Sequence, residues 1–264
     1  MGFDPAKYGP WAVIPGGSEG IGACIAVRLA KQGINSVLIA RKAEPLDEVA
    51  AQVRALGAQA RTLAMDLAAP DMFETIKAAT ADLEVGLLVY NAGASLRTGP
   101  FLEWDIGDVE QVIRLNVLGQ TRLSHHFGQQ MAARGSGGIV LMGSLAGVAG
   151  SPSVITYSGA KAYSQIFSEG LWWELKQHGV DVLHVVVGQT NTPAMARLGI
   201  GYDEGMGDDP DMVAALALDH IADGPVVVVP NMREGFEQLT NPDRRGSTLQ
   251  NAQFILSNTE GTWD

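Results

Sequence analysis

The chain has 264 residues, 46% hydrophobic and 18% charged, enough apolar side chains for one sizeable α/β domain. A formal net charge of −11 argues against nucleic acids and anionic membrane surfaces as partners, since both require clustered Lys and Arg, and reads as a solvated acidic surface. The lone Cys24 excludes an intrachain disulfide, no apolar run approaches bilayer length, and the N-terminus lacks an apolar leader, so a cytoplasmic protein is expected.

The predicted elements alternate along the chain. "WAVIP" (11–15) reads as a strand, and 20–32 as a helix with Ile21, Ile25 and Leu29 on one face. "SVLIA" (36–40) is a second strand. Residues 44–57 are a helix with Pro45 in its first turn and Gly57 as its stop. A third strand covers 58–66, a helix 70–82, and a fourth strand runs through "VGLLVYNAG" (85–93) into a turn. Helices at 105–118 and 119–133 precede "GGIVLMGS" (137–144). A long helix at 153–178 leads to "VDVLHVVVG" (180–188). A Gly- and Asp-rich loop is expected over 189–209, a helix over 210–222 and a last strand at 225–230. One short helix near 245–256 is expected in the tail.

This order predicts a single doubly wound domain with a parallel sheet and right-handed crossovers. Most strands lack period-2 alternation, as expected when helices cover both faces. Ligands in such sheets bind beyond the carboxyl ends of the strands. Those places hold "PGGSEGIG", "ARK", "MDL", "NAG", "GSLAG" and "GQTNTP".

"PGGSEGIG" (15–22) joins the first strand to the first helix, with glycines at 16, 20 and 22. Glycines allow a tight turn and close approach to a pyrophosphate, and the helix N-terminus offers free N–H groups. A plain strand-to-helix turn is the other reading, and the spacing is not GxGxxG. Pro15 removes one backbone donor at this turn. At the end of the second strand, Arg41 suits the 2′-phosphate of NADP(H) better than the ribose of NAD(H), because a guanidinium takes phosphate bidentately. Asp66 can accept from the adenine amino group with Leu67 packing beside it, or serve as a helix cap.

Ser144 precedes Tyr157 by thirteen residues, and Lys161 follows by four, on the same helix face. A cation about 4 Å from a phenol contributes on the order of 4 kcal/mol at an effective dielectric near 20. At ~1.4 kcal/mol per pKa unit, Lys161 is expected to lower the Tyr157 pKa by about two to three. Tyr157 then becomes a usable general acid/base, and Ser144 can hold a carbonyl or alcohol oxygen beside it.

With these residues in place, the sequence resembles the short-chain dehydrogenase/reductase family. The matching pieces are "GGSEGIG", "NAG" (91–93), "RLNVLG" (114–119), "GSLAG" (143–147), "YSGAK" (157–161) and "GQTNTP" (188–193). The resemblance implies a Rossmann fold of about seven parallel strands and a tetrad of Asn116, Ser144, Tyr157 and Lys161. In it, Asn116 would hold a water linking Lys161 to solvent, and Lys161 would also grip the nicotinamide ribose. It implies a cofactor site of Gly16, Ser18, Glu19, Gly20, Ile21, Gly22, Arg41, Asp66, Leu67, Asn91, Ala92, Gly93, Tyr157, Lys161, Gly188, Thr190 and Thr192. It also implies pairing of two long helices into a homodimer or homotetramer. Three positions depart from the family pattern: Pro15, Val187 and Tyr90.

Outside these motifs, His125-His126 lacks a third metal ligand at useful spacing, and no metal site is expected. Of Trp172 and Trp173, one is assigned to a subunit interface. Leu96, Leu145, Val154, Met195, Leu198 and Ile200 form an expected apolar substrate lining, with Arg97 the exception. The leading expectation is an NADP(H)-dependent reductase or dehydrogenase for a hydrophobic ketone or alcohol. A 3-oxoacyl-carrier reductase and a non-catalytic dinucleotide-binding or redox-sensing protein are the alternatives.

Overall fold

A computed structural model describes residues 2–197 and 207–257, with backbone alone at 255–257. The strands are β1 (Trp11–Pro15), β2 (Asn35–Ala40), β3 (Ala60–Ala64), β4 (Val85–Tyr90), β5 (Gly137–Met142), β6 (Val180–Val186) and β7 (Val226–Val228). They form one seven-stranded sheet in the order β3-β2-β1-β4-β5-β6-β7, every pair parallel. The order reverses between β1 and β4, which opens a crevice beyond their carboxyl ends.

The helices are α1 (Pro5–Tyr8), α2 (Gly20–Lys31), α3 (Ala43–Ala55), α4 (Met72–Ala79), α5 (Ile106–Ile113), α6 (Gly119–Arg134), α7 (Ile155–Lys176), α8 (Pro193–Arg197), α9 (Pro210–Asp219), α10 (Arg233–Leu239) and α11 (Arg244–Ser257). Helices α2, α3 and α9 pack on one face of the sheet, and α4, α6 and α7 on the other. Strands β4 and β5 are buried at every position, which explains their unbroken apolar runs. Ile21, Ile25 and Leu29 line the buried face of α2, as their spacing predicts.

Four local features differ from the sequence reading. The short α1 forms where Asp4 caps Ala6, a signal hidden by its brevity. The helix expected over 105–118 ends at Ile113 and passes into a π turn at Arg114–Leu118. The loop after β6 contains α8. Among its described residues the tail forms two helices rather than one, and the amphipathic pattern of α10 is too short to register in the sequence.

The end of the Gly- and Asp-rich loop expected over 189–209 is described from Gly207 onward, and there it is structured. Asp208 is buried and accepts from Asn231, Asp209 caps α9, and Asp211 pairs with Arg28 at 2.7 Å.

Candidate active site

The β1–α2 turn is held by main chain. Pro15 ends β1, so its missing N–H falls where the strand leaves the sheet, and its carbonyl accepts from Asn91 and Ala92 at 3.0 and 2.8 Å. Gly16 and Gly17 both donate to the Ile39 carbonyl, which ties the turn to the end of β2. Gly16 has φ +84° and Gly20 φ +54°, the left-handed region that favours glycine. A Cβ on Gly22 would overlap the Gly16 carbonyl and stand 2.8 Å from the Asn91 amide, which donates to that same carbonyl.

Glu19 at the N-cap of α2 makes no side-chain capping bond, so the first-turn N–H groups face outward. An open turn, glycines that approach closely and a free helix N-terminus fit a dinucleotide pyrophosphate. Ser18 is half-buried in the turn and Ile21 is buried at the start of α2. Glu19 instead takes a bidentate ion pair from Arg197 of α8, and Thr192 packs 2.8 Å from the place a Gly20 Cβ would occupy. The segment after β6 therefore lies across the glycine turn. Gly188 packs against Met232, and Thr190 is buried in a bridge to Asp208.

Arg41 follows β2, exposed at the same sheet edge. Asp66 is exposed and accepts from the Ala68 N–H at 2.9 Å, as a turn residue does, while Asp71 takes the N-cap position of α4 without a side-chain capping bond. Leu67 is buried beside it.

The other half of the edge is built of side chains. Ser144 follows β5 and accepts from Ala146 N at 3.2 Å. Tyr157 and Lys161 share a face of α7, and the Lys161 ammonium stands 5.5 Å from the Tyr157 ring centroid while donating to the Met142 carbonyl at 2.7 Å. Asn116 lies in the π turn. Its amide donates to Ala94 and Val112, and its Oδ1 is buried without a protein partner. A Cβ on Gly93 would stand 2.6 Å from Asn116 Oδ1 and 2.7 Å from Lys161 Nζ, so one bridging water can span the two atoms. All four expected tetrad residues converge here.

The electrostatics correct one expectation. Burial raises the Tyr157 pKa, partly offset by a hydrogen bond with Ser144, rather than Lys161 lowering it. Burial also pulls Lys161 down to about 8. The Lys161 ammonium donates to the Met142 carbonyl and stands over the Tyr157 ring.

Leu96, Leu145, Val154 and Met195 are half-buried around this face, whereas Leu198 and Ile200 lie outside the described residues. Arg97 is exposed and stacks over Trp104 at 5.7 Å. Ser153, beside Val154, holds φ at 65°, a strained backbone for a residue with a side chain. The tail closes this side: α10 places Gly235 against Leu145, Arg244 donates to the Val148 carbonyl, and Asn251 donates to Gly150 O and Ser151 Oγ.

The sequence reading notes Tyr90 only as a departure from the family pattern, and it misses Gln120 and Arg197. Tyr90 carries a polar tip inside a buried strand, which requires a partner, and Gln120 stands one turn from Asn116 on α6. Arg197 carried no such signal.

Comparison with known proteins agrees with this geometry. The family model for short chain dehydrogenase matches residues 10–202. The very-long-chain 3-oxoacyl-CoA reductase of Neurospora crassa is 39% identical over 197 residues, 73% of this chain and 59% of that protein, so the chain spans well under two thirds of that relative. The 7beta-hydroxysteroid dehydrogenase of Clostridium sardiniense is 33% identical over 234 residues, covering 88% of this chain and 83% of that one. Among solved structures, a short-chain dehydrogenase from Sphingobium yanoikuyae in complex with NADPH superposes with a TM-score of 0.80 at 28% identity, covering 97% of this chain and 98% of that chain. With these matches and the fold agreeing, the chain belongs to the short-chain dehydrogenase family of oxidoreductases.

Proposed function

We propose that the protein is an NADP(H)-dependent oxidoreductase that interconverts a hydrophobic ketone and its secondary alcohol, with Tyr157 as general acid/base. The observation that carries this reading is the convergence of Ser144, Tyr157, Lys161 and Asn116 beside a glycine turn that fits a pyrophosphate. A nicotinamide dinucleotide, when bound, supplies or accepts the hydride. Ser144 holds the substrate oxygen by its hydroxyl. Tyr157 gives its proton to that oxygen during reduction and takes it back during oxidation. Lys161, positively charged below about pH 8, favours the phenolate left behind and holds the nicotinamide ribose. After reduction Lys161 passes a proton back to the Tyr157 phenolate and draws a new one from solvent through a water held by Asn116 Oδ1.

Arg41 would meet the 2′-phosphate, and the NADPH complex of the Sphingobium yanoikuyae relative supports that choice. The half-buried apolar lining supports a hydrophobic substrate. A 3-oxoacyl thioester is the second substrate class, favoured by the 39% identity to a reductase of that kind. Exposed Ile166 and Trp173 on α7 support pairing with a second copy of this chain, which sedimentation would test.

The deciding experiment is Tyr157→Phe, assayed on a panel of steroid ketones and 3-oxoacyl thioesters. Turnover is expected to fall by about 10²- to 10⁴-fold while NADPH binding stays unchanged. Surviving turnover sinks the mechanism. Parallel fluorescence titrations with NADPH and NADH test the cofactor choice, and Arg41→Ala is expected to erase the difference between them.

A further inference from the structure

The chain passes through a π turn at Arg114–Leu118, where the Gly119 N–H donates to Arg114 O, one residue further back than in an α-helix. Three successive carbonyls there take side-chain donors. The Tyr90 hydroxyl donates to Leu115 O at 2.6 Å, the Gln120 amide to Asn116 O, and the Thr121 hydroxyl to Val117 O at 2.8 Å. Gly119 makes room for this, since a Cβ there would overlap the Tyr90 hydroxyl.

Gln120 is also held from the far side. Ser164 donates to Gln120 Oε1 at 2.9 Å. Ser164 follows Lys161 by one turn on α7, and Gln120 follows Asn116 by one turn on α6. The pair thus ties the helix holding Asn116 to the helix holding Tyr157 and Lys161.

Behind it, His184 Nδ1 of β6 stands 3.5 Å from Ser164 Oγ and 3.4 Å from Ser168 Oγ. The hydroxyl hydrogens of Ser164 and Ser168 are committed to Gln120 Oε1 and Ser164 O, so Nδ1 carries the proton and donates. Burial, then the Lys161 charge, holds His184 neutral with a pKa near 3. Asn116, Gln120, Ser164, Ser168 and His184 are each at most 3% exposed, the setting in which a satisfied polar network rigidifies its members.

We propose that Gln120, braced by Ser164, is a positioning residue that keeps the π turn in register and so keeps Asn116 Oδ1 aimed at Lys161. Losing one residue of register rotates a helical position by about 100°, which would swing Asn116 away from Gly93. The inference rests on the hydride-transfer reading above.

The test compares Gln120→Leu, Ser164→Ala and Ser124→Ala in the full chain, using the ketone or thioester turned over fastest in the panel. Ser124 is the control: it is buried one turn beyond Gln120, with no hydrogen-bond partner for its hydroxyl among the described residues. Gln120→Leu is expected to lower kcat about tenfold, or ~1.4 kcal/mol, with KM and NADPH affinity within about twofold and the midpoint of the kcat–pH profile displaced. Ser164→Ala should move the same readouts in the same direction, and Ser124→Ala should move none. A crystal structure of Gln120→Leu should show Asn116 displaced from Gly93. A kcat within about twofold and an unchanged pH profile in Gln120→Leu, an equal loss in Ser124→Ala, or an unmoved Asn116 overturns the proposal. Tyr157→Phe run alongside separates the two ideas. If that variant is dead while Gln120→Leu is fully active, the brace alone fails. If it turns over, the hydride-transfer reading fails and takes the brace with it.

Discussion

The glycine turn between β1 and α2 is made of main chain, whereas the face around Tyr157 is made of buried side chains from β4, α6, α7 and β6. In the turn, carbonyls of Pro15, Gly16 and Ile39 are each met by nearby N–H donors, and the charged contact there is the exposed Glu19–Arg197 pair. Around Tyr157, almost every group is desolvated and held by a partner distant in sequence. The first region presents fixed dipoles at little desolvation cost. The second holds a lysine pulled down to about 8 and a histidine kept neutral, so losing one member leaves buried polar groups unpaired. Substitutions should therefore separate the two regions by what they damage.

The largest effect is expected at the side-chain face. Ser144→Ala should lower kcat by about 10²- to 10³-fold, as removing one oxyanion-type donor does, with NADPH affinity intact. Equal losses of turnover and of NADPH binding would show that the two regions are not separable.

Gly22→Ala should do the reverse. Its new Cβ would overlap the Gly16 carbonyl, so stability should fall by ~1–3 kcal/mol and NADPH binding should weaken. Thermal melts with and without NADPH measure both, and an unshifted Tm in either condition would contradict the close packing.

The pH response probes the buried lysine. Because the folded pKa of Lys161 is about 8 against an ordinary value of 10.5, the unfolded chain binds more protons between those values. Its unfavourable contribution is full below pH 8 and is relieved as pH rises above it. Urea titrations from pH 7 to 10 should show native stability gaining on that of Lys161→Met across this window. A constant difference would mean that Lys161 titrates normally.

The smallest effect belongs to the turn's ion pair. Arg197→Gln removes an exposed pair of the kind worth ~0.2–1 kcal/mol, so NADPH affinity should change less than about fivefold and only at low salt. A larger, salt-independent loss would place Arg197 on the cofactor itself.

The sheet, the glycine turn and the placement of Ser144, Tyr157 and Lys161 were legible in the sequence, because each rests on local spacing: apolar runs, glycines at a strand end, and a Tyr and Lys one turn apart. The positions of Tyr90, Gln120, Arg197 and Asn251 were not. Each acts through a partner far along the chain: Leu115 for Tyr90, Ser164 for Gln120, Glu19 for Arg197, Gly150 for Asn251. The direction of the Tyr157 pKa shift was not legible for a related reason. Spacing places Lys161 near the ring, but desolvation by the surrounding fold raises the phenol, partly offset by the Ser144 hydrogen bond. Local order and periodicity settled which elements form and in what sequence they meet the crevice. Packing between distant segments decided which polar groups are buried, and with them the protonation states and the brace behind Asn116.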